Sequence, residues 1–143
     1  MKTNVKEKVN KRLTGVNSLL SNSQVRRNKN IFLEKYMQCE LACRLLLVDY
    51  HQKKASPKPV EYKEEKIRFS SVRAACQDAG VTVPEDVIKR VFSSADKRGS
   101  KSAKKLRDSI VHEMSVQDIK EVNQRFTDLC EDMDAFLDVF KSA

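Results

Sequence analysis

Residues 104–113 read KKLRDSIVHE and bring together an arginine, a carboxylate and one of the chain's two histidines. Histidine exchanges protons near neutral pH, and a guanidinium binds phosphate oxygens. The pair suits cleavage of RNA without a metal: His112 exchanges protons with the 2′-hydroxyl or the leaving oxygen, and Arg107 stabilises charge on the phosphorane. DNA lacks that internal nucleophile. At roughly 100° per residue, Lys104, Asp108 and His112 share one helix face, while Leu106, Ile110 and Met114 form an anchoring stripe. Asp108 and His112 are one turn apart and are placed to pair. Arg107 lies roughly 140° around the axis from His112, an awkward angle within one chain that a second copy related by a two-fold axis would close. The competing reading is inert: His112 caps a helix end, Arg107 and Asp108 form a surface pair, and nothing reacts.

The charge distribution favours a polyanionic partner. There are 28 Lys and Arg against 20 Asp and Glu, a formal charge of +8. Residues 1–30 hold eight basic and one acidic side chain, residues 89–107 again eight and one, and residues 108–143 three and nine. The positive field therefore sits in an amino-terminal segment and in the approach to KKLRDSIVHE. Such runs also serve simply as solvated helix faces. Lys97, Arg98, Lys101, Lys104 and Lys105 are the candidates for RNA backbone contacts.

Other chemistries find little support. Cys39, Cys43, Cys76 and Cys130 form no CxxC pair and fall at apolar positions, as reduced core thiols do. Cys39 and Cys43 are one turn apart, but no second pair accompanies them, so no metal is expected. Walker, HExxH, GxSxG and dinucleotide patterns are absent, and no cofactor is expected. His51 ends a helical run beside Lys53 and Lys54 and reads as a C-terminal cap, with an RNA contact as the alternative. No stretch is apolar enough for a signal peptide or a membrane span, so a cytoplasmic chain with no membrane partner is expected.

The elements that must position the motif are helical. Three Gly, three Pro and repeated apolar spacings of three and four describe one all-α domain over 1–143, a bundle of five or six helices. A first, basic helix carries Val5, Val9, Leu13, Val16 and Leu20 on one stripe, and the SNS stretch at 21–23 offers a stop and a new N-cap. A second, from about Gln24 to Gln52, bears a band of Leu33, Tyr36, Met37, Leu41, Cys43, Leu47 and Val48 wide enough to lie centrally. KKASPKP at 53–59 reads as a loop. A third places Ile67, Phe69, Val72, Cys76 and Ala79 inward and ends at Gly80. Pro84 reopens the chain in a first helical turn, followed by Val87, Ile88, Val91, Phe92 and Ala95. A basic loop at 95–103 reads as mobile and leads into the motif helix. The last, long helix starts at Ser115, where Ser115 and Asp118 resemble a capping box. Its stripe is Ile119, Val122, Phe126, Leu129, Met133, Phe136, Leu137 and Phe140.

Arg107-Asp108-Ser109-Ile110-Val111-His112 resembles the Arg-x4-His motif of the HEPN superfamily, including a polar residue directly after the arginine. The frame is similar too: a small all-helical chain with the motif late and a long helix after it. The resemblance implies a HEPN-like helical bundle whose homodimer turns two motifs toward one cleft. It also implies a metal-independent ribonuclease of a toxin–antitoxin or antiphage system, with an antitoxin or regulatory protein as a possible further partner. Carried over by position, Arg107 would bind and stabilise the scissile phosphate, His112 would be the acid/base, and Asp108 would orient or tune them. Superfamily toxins controlled by a nucleotidyltransferase antitoxin commonly carry a tyrosine two residues after the histidine. Met114 stands there, which argues against that form of control. Two other classes remain open: a non-catalytic helical module binding nucleic acid or protein through its basic surface, and a DNA-binding helix-turn-helix at 84–113. The long 95–103 connection and the carboxylates Asp108 and Glu113 speak against the latter.

Overall fold

The computed structural model describes residues 2–54, 67–94 and 97–141. Among them are seven helices and no strand: α1 Lys2–Leu20, α2 Ser23–Lys54, α3 Phe69–Asp78, α4 Glu85–Phe92, α5 Ala103–Glu113, α6 Val116–Gln124 and α7 Phe126–Lys141. The seventh arises because the long helix expected after Ser115 is interrupted at Arg125 (φ −101°, ψ 15°). No proline or glycine marks that break. Arg125 instead turns its guanidinium to Glu121 at 2.7 Å and to the carbonyl of Lys101 at 3.0 Å. None of the helices is long and apolar enough to cross a membrane.

Local signals set most boundaries. The Asn22 side chain accepts the N–H groups of Gln24 and Val25 and starts α2, as the SNS stretch suggests. After α3, Gly80 takes a left-handed conformation (φ 69°). Its N–H donates to Gln77 O and that of Val81 to Cys76 O, the paired bonds of a Schellman turn. Pro84 stands just before α4 as its N-cap rather than inside its first turn. The second helix continues through Lys53 and Lys54, the first two residues of the loop expected at 53–59. Residues 55–59 lie outside the described residues, as does Ala95.

The core gathers around α2, which runs through 32 residues and touches α1, α3, α5, α6 and α7. Its inward face is Val25, Asn28, Phe32, Tyr36, Cys39, Cys43 and Leu47. Tyr36, Phe92, Phe136 and Phe140 follow one another with ring centroids 6.3, 5.0 and 5.3 Å apart, linking α2, α4 and α7. These are tilted and edge-on contacts of the kind aromatic quadrupoles favour. Two expected stripes are only partly covered. On α1, Val16 and Leu20 are buried while Val5, Val9 and Leu13 are exposed; on α2, Met37 and Leu41 face outward. Ala79 is also exposed, because α3 ends at Asp78 and Ala79 is its C-cap.

α5, the motif helix, is fixed at its start by Ser102, 1% exposed. Its hydroxyl accepts the Lys105 N–H at 3.2 Å and donates to Ser93 O at 2.7 Å, tying α5 to the end of α4. Ser102→Ala is expected to lower stability by about 1–2 kcal/mol, since it removes a cap and strands a carbonyl. Urea denaturation would measure it, and a change within error would show the cap to be idle.

Candidate functional site

His112 occupies the last turn of α5, and the way that helix ends shapes its surroundings. Met114 adopts φ 47° and ψ 43° and donates its N–H to Ile110 O at 2.9 Å. A left-handed methionine is uncommon and costs energy. The sharp turn lets α6 begin at once, with Ser115 Oγ accepting the Asp118 N–H at 3.3 Å. It also takes Met114 out of the Leu106–Ile110 stripe, so Met114 is exposed rather than an anchor. Arg12 of α1 donates to the Glu113 carbonyl at 2.9 Å, occupying an oxygen that the helix end leaves without an internal partner. The basic amino-terminal helix thus meets the motif helix beside His112.

Around His112 lies an open concavity whose other walls are Lys101, Lys105, Asp108, Ser109 and Glu113. Arg107 opens elsewhere, into a second concavity with Glu34, Met37, Gln38, Glu40 and Leu41 of α2. Its Nη1 donates to Asp108 Oδ1 at 2.9 Å, its Nη2 is 3.8 Å from Glu40 Oε2, and its guanidinium carbon is 5.9 Å from the Tyr36 ring centroid. Partial burial opposes the charge of Arg107. The hydrogen bond to Asp108 and the charge of Glu40 more than offset it and raise the pKa above the ordinary arginine value. Burial, with Glu40 and Asp108 adding to it, likewise pushes the Tyr36 phenol far up, so Tyr36 stays neutral beneath the guanidinium.

The expected side-chain pairing is corrected at one point. Asp108 is bonded to Arg107, its chain neighbour, rather than to His112 one turn on. Of the three motif residues it alone belongs to both settings, lining the histidine concavity and holding the arginine. Arg107 and His112 are not brought together within one chain.

The basic loop also differs from expectation. Its described part, residues 97–103, is fastened to α6. Glu121 accepts the Gly99 N–H at 2.9 Å, Asp118 accepts Lys101 Nζ at 3.0 and 3.1 Å, and Gln117 accepts Arg98 Nη2 at 2.7 Å. Gly99 sits at φ 83°, where a side chain would be strained. Asp118 and Glu121 are 3% and 6% exposed, so they form a buried acidic seat for the loop. Asp118 spends its carboxylate there rather than completing a capping box. As an RNA contact, Lys101 is therefore a weaker candidate than its charge suggested, because Asp118 already offsets it. Lys97 is exposed, whereas Lys104 and Lys105 are half-buried on α5.

Tyr36, Glu40, Arg12, Ser109, Asp118 and Glu121 join the site from outside the expected set. Ser109 was visible inside the motif. The others are drawn in by contacts between segments apart in sequence, α1 and α2 with α5 and the 97–101 loop with α6, which no spacing signals. His51 lies in the last turn of α2, edge-on to Tyr50 with centroids 5.2 Å apart, distant in the chain from the motif.

All four cysteines are free. Burial pushes the Cys39 thiol up to about 12 and that of Cys76 to about 11, and Cys43 is raised further still. At neutral pH these sulfurs are protonated and behave as small apolar groups. Cys39 Sγ donates to Met133 O at 3.7 Å, fixing α2 against α7. Among the described residues, no three His, Cys, Asp or Glu cluster as metal ligands would.

Against family models, curated proteins and solved structures alike, the chain gives no significant match.

Proposed function

We propose that this protein is a homodimeric, metal-independent endoribonuclease whose site is composed of Arg107 from one copy and His112 from the other. The observation that carries the reading is the division of labour on α5. His112 opens into a polar concavity with Asp108, Ser109 and Lys105, while Arg107 is presented separately over Tyr36 and Glu40. Two such helices facing one another across a two-fold axis bring each arginine to the other chain's histidine. The resemblance of residues 107–112 to the HEPN motif supports the same arrangement, and with it a toxin or antiphage effector role in the cytoplasm.

In this reading His112 takes the proton from the 2′-hydroxyl of a bound ribonucleotide. That oxygen attacks phosphorus, the P–O5′ bond breaks, and the 5′-oxygen of the next nucleotide leaves with a proton from water, while His112 later returns its own proton to solvent. The products are a 2′,3′-cyclic phosphate and a 5′-hydroxyl. Arg107 donates to the equatorial oxygens as charge builds on them. Asp108 positions the guanidinium, and Lys105 with Lys104, Lys97 and Arg98 supplies contacts to flanking phosphates.

The purified protein is expected to cut single-stranded or loop RNA in excess EDTA and leave 2′,3′-cyclic phosphate ends. A single 2′-deoxynucleotide at the cut site is expected to stop cleavage there. Mass spectrometry of the fragments reads both, and cleavage at the deoxy position would sink this chemistry. A non-catalytic binding module is the second reading. It is favoured by the way Asp108 and Glu40 already neutralise Arg107 in the single chain. Such a module would hold RNA and leave it intact.

A further inference from the structure

Two exposed apolar stripes in this chain have the same length and spacing and different electrical surroundings. On α1, Val5, Val9 and Leu13 are 64, 52 and 56% exposed, and on α2, Met37, Leu41 and Leu45 are 62, 52 and 57% exposed. Each set recurs at i, i+4 and i+8, so each spans about 12 Å of one helix face. Leaving six large apolar side chains in water is unfavourable unless something covers them. From Val5 to Leu13 every residue of α1 is exposed, and the residues between the apolar ones include Lys6, Lys8, Lys11 and Arg12 against a single acid, Glu7. From Glu34 to Asp49 the exposed residues of α2 are Glu34, Met37, Gln38, Leu41, Leu45 and Asp49, and the cations beside them, Lys35, Arg44, Lys53 and Arg107, are each paired with a carboxylate.

We infer that the amino-terminal half of α1 docks on the Met37–Leu41–Leu45 face of α2 in a second copy of this chain, reciprocally about a two-fold axis. Charge and coverage together give the pairing its direction: α1 against α1 would oppose cation to cation, α2 against α2 would leave the α1 stripe in water, and α1 against α2 covers both stripes while its lysines face a surface whose own cations are already paired. Within one chain the contact is not made. In its own chain α1 buries Val16 and Leu20 and leaves Val5, Val9 and Leu13 exposed, and Arg12 holds it to the end of α5 through Glu113 O. The same α2 face borders Arg107, which shares a concavity with Met37 and Leu41. The partner's α1 seated there would carry the Glu113 end of the partner's α5, and so its His112, toward this chain's Arg107. That consequence rests on the ribonuclease reading, whereas the docking itself does not.

The test is complementation in sedimentation experiments, with circular dichroism to establish that each protein is folded. Wild type is expected to sediment as a dimer at micromolar concentration, and Val9→Asp and Leu41→Lys each as a monomer. Mixing the two variants is expected to restore a dimer, since one of the two reciprocal contacts is then wild type and the other joins aspartate to lysine. A monomeric wild type, a variant that dimerises unaided, or a mixture that stays monomeric would overturn the inference. Should either variant fail to fold, Val9→Cys protein mixed with Leu41→Cys protein under mild oxidation decides the matter. A disulfide joining the two different chains is expected, and its absence counts against the docking. RNA cleavage is scored separately. A complementing dimer that leaves RNA intact retires the nuclease and keeps the interface, whereas cleavage by a dimer indifferent to Val9 and Leu41 does the reverse.

Discussion

His112→Ala is expected to reduce RNA cleavage in EDTA by about 10²–10⁴-fold while leaving RNA affinity nearly unchanged. The size of the loss follows from the role: without the imidazole, the 2′-hydroxyl must lose its proton to water in the step that forms the new P–O bond. The binding surface is largely left in place, because the lysines of the concavity and of α5 remain. Confounding by misfolding is small. His112 is exposed in the final turn of α5, and an exposed substitution to alanine at a helical position shifts stability by about 0.5 kcal/mol or less. Single-turnover cleavage of a defined RNA and filter binding of the same RNA, run side by side, separate the two quantities. Equal degradation by wild type and His112→Ala would place the activity elsewhere, in a contaminant or at another site.

The second large effect is a recovery rather than a loss. Arg107→Ala alone is expected to lower cleavage by about 10²–10³-fold, the scale seen when one donor to a developing oxyanion is removed. It should also weaken binding, since the guanidinium contacts phosphate before and during reaction. Asp108 loses its cation in this variant and Glu40 keeps only Arg44, so a lower melting temperature is expected as well. When Arg107→Ala and His112→Ala proteins are allowed to exchange subunits, activity is expected to climb back to about a quarter of wild type. Half of the dimers are then mixed, and each mixed dimer has one site with both native residues and one with neither. A site complete within a single chain gives the opposite result, because no mixture of the two variants would contain an intact one. Co-expression with two different affinity tags, followed by cleavage assays on the doubly purified dimer, isolates the mixed species.

Both experiments turn on a relation that helical periodicity anticipated only in part. The roughly 140° between Arg107 and His112 follows from residue spacing alone, and the two side chains do open into different concavities. The Asp108–His112 pair followed from the same periodicity and is not formed, because Asp108 has a cation one residue away and bonds to it. Helical angle says which side chains are within reach of one another, not which of several partners is chosen.

What the sequence by itself determined is what interactions within about four residues can decide. The all-helical character follows from apolar spacing. Asn22, Gly80, Ser102 and Ser115 begin or end helices through bonds to backbone groups two or three residues away, and Ser102 and Ser115 bracket the motif on one short helix with His112 in its last turn. Only the tertiary structure decided that Arg107 would lie over Tyr36 and beside Glu40. The seating of the 97–101 loop on Asp118 and Glu121 and the break of the last helix at Arg125 also depended on it. So did the choice to leave half of the α1 stripe and the outer α2 stripe uncovered. These outcomes depend on groups brought near one another across 17 to 71 positions of chain, or on which helix happens to cover a face. An apolar stripe states that something should cover it, and only packing determines whether its own chain does.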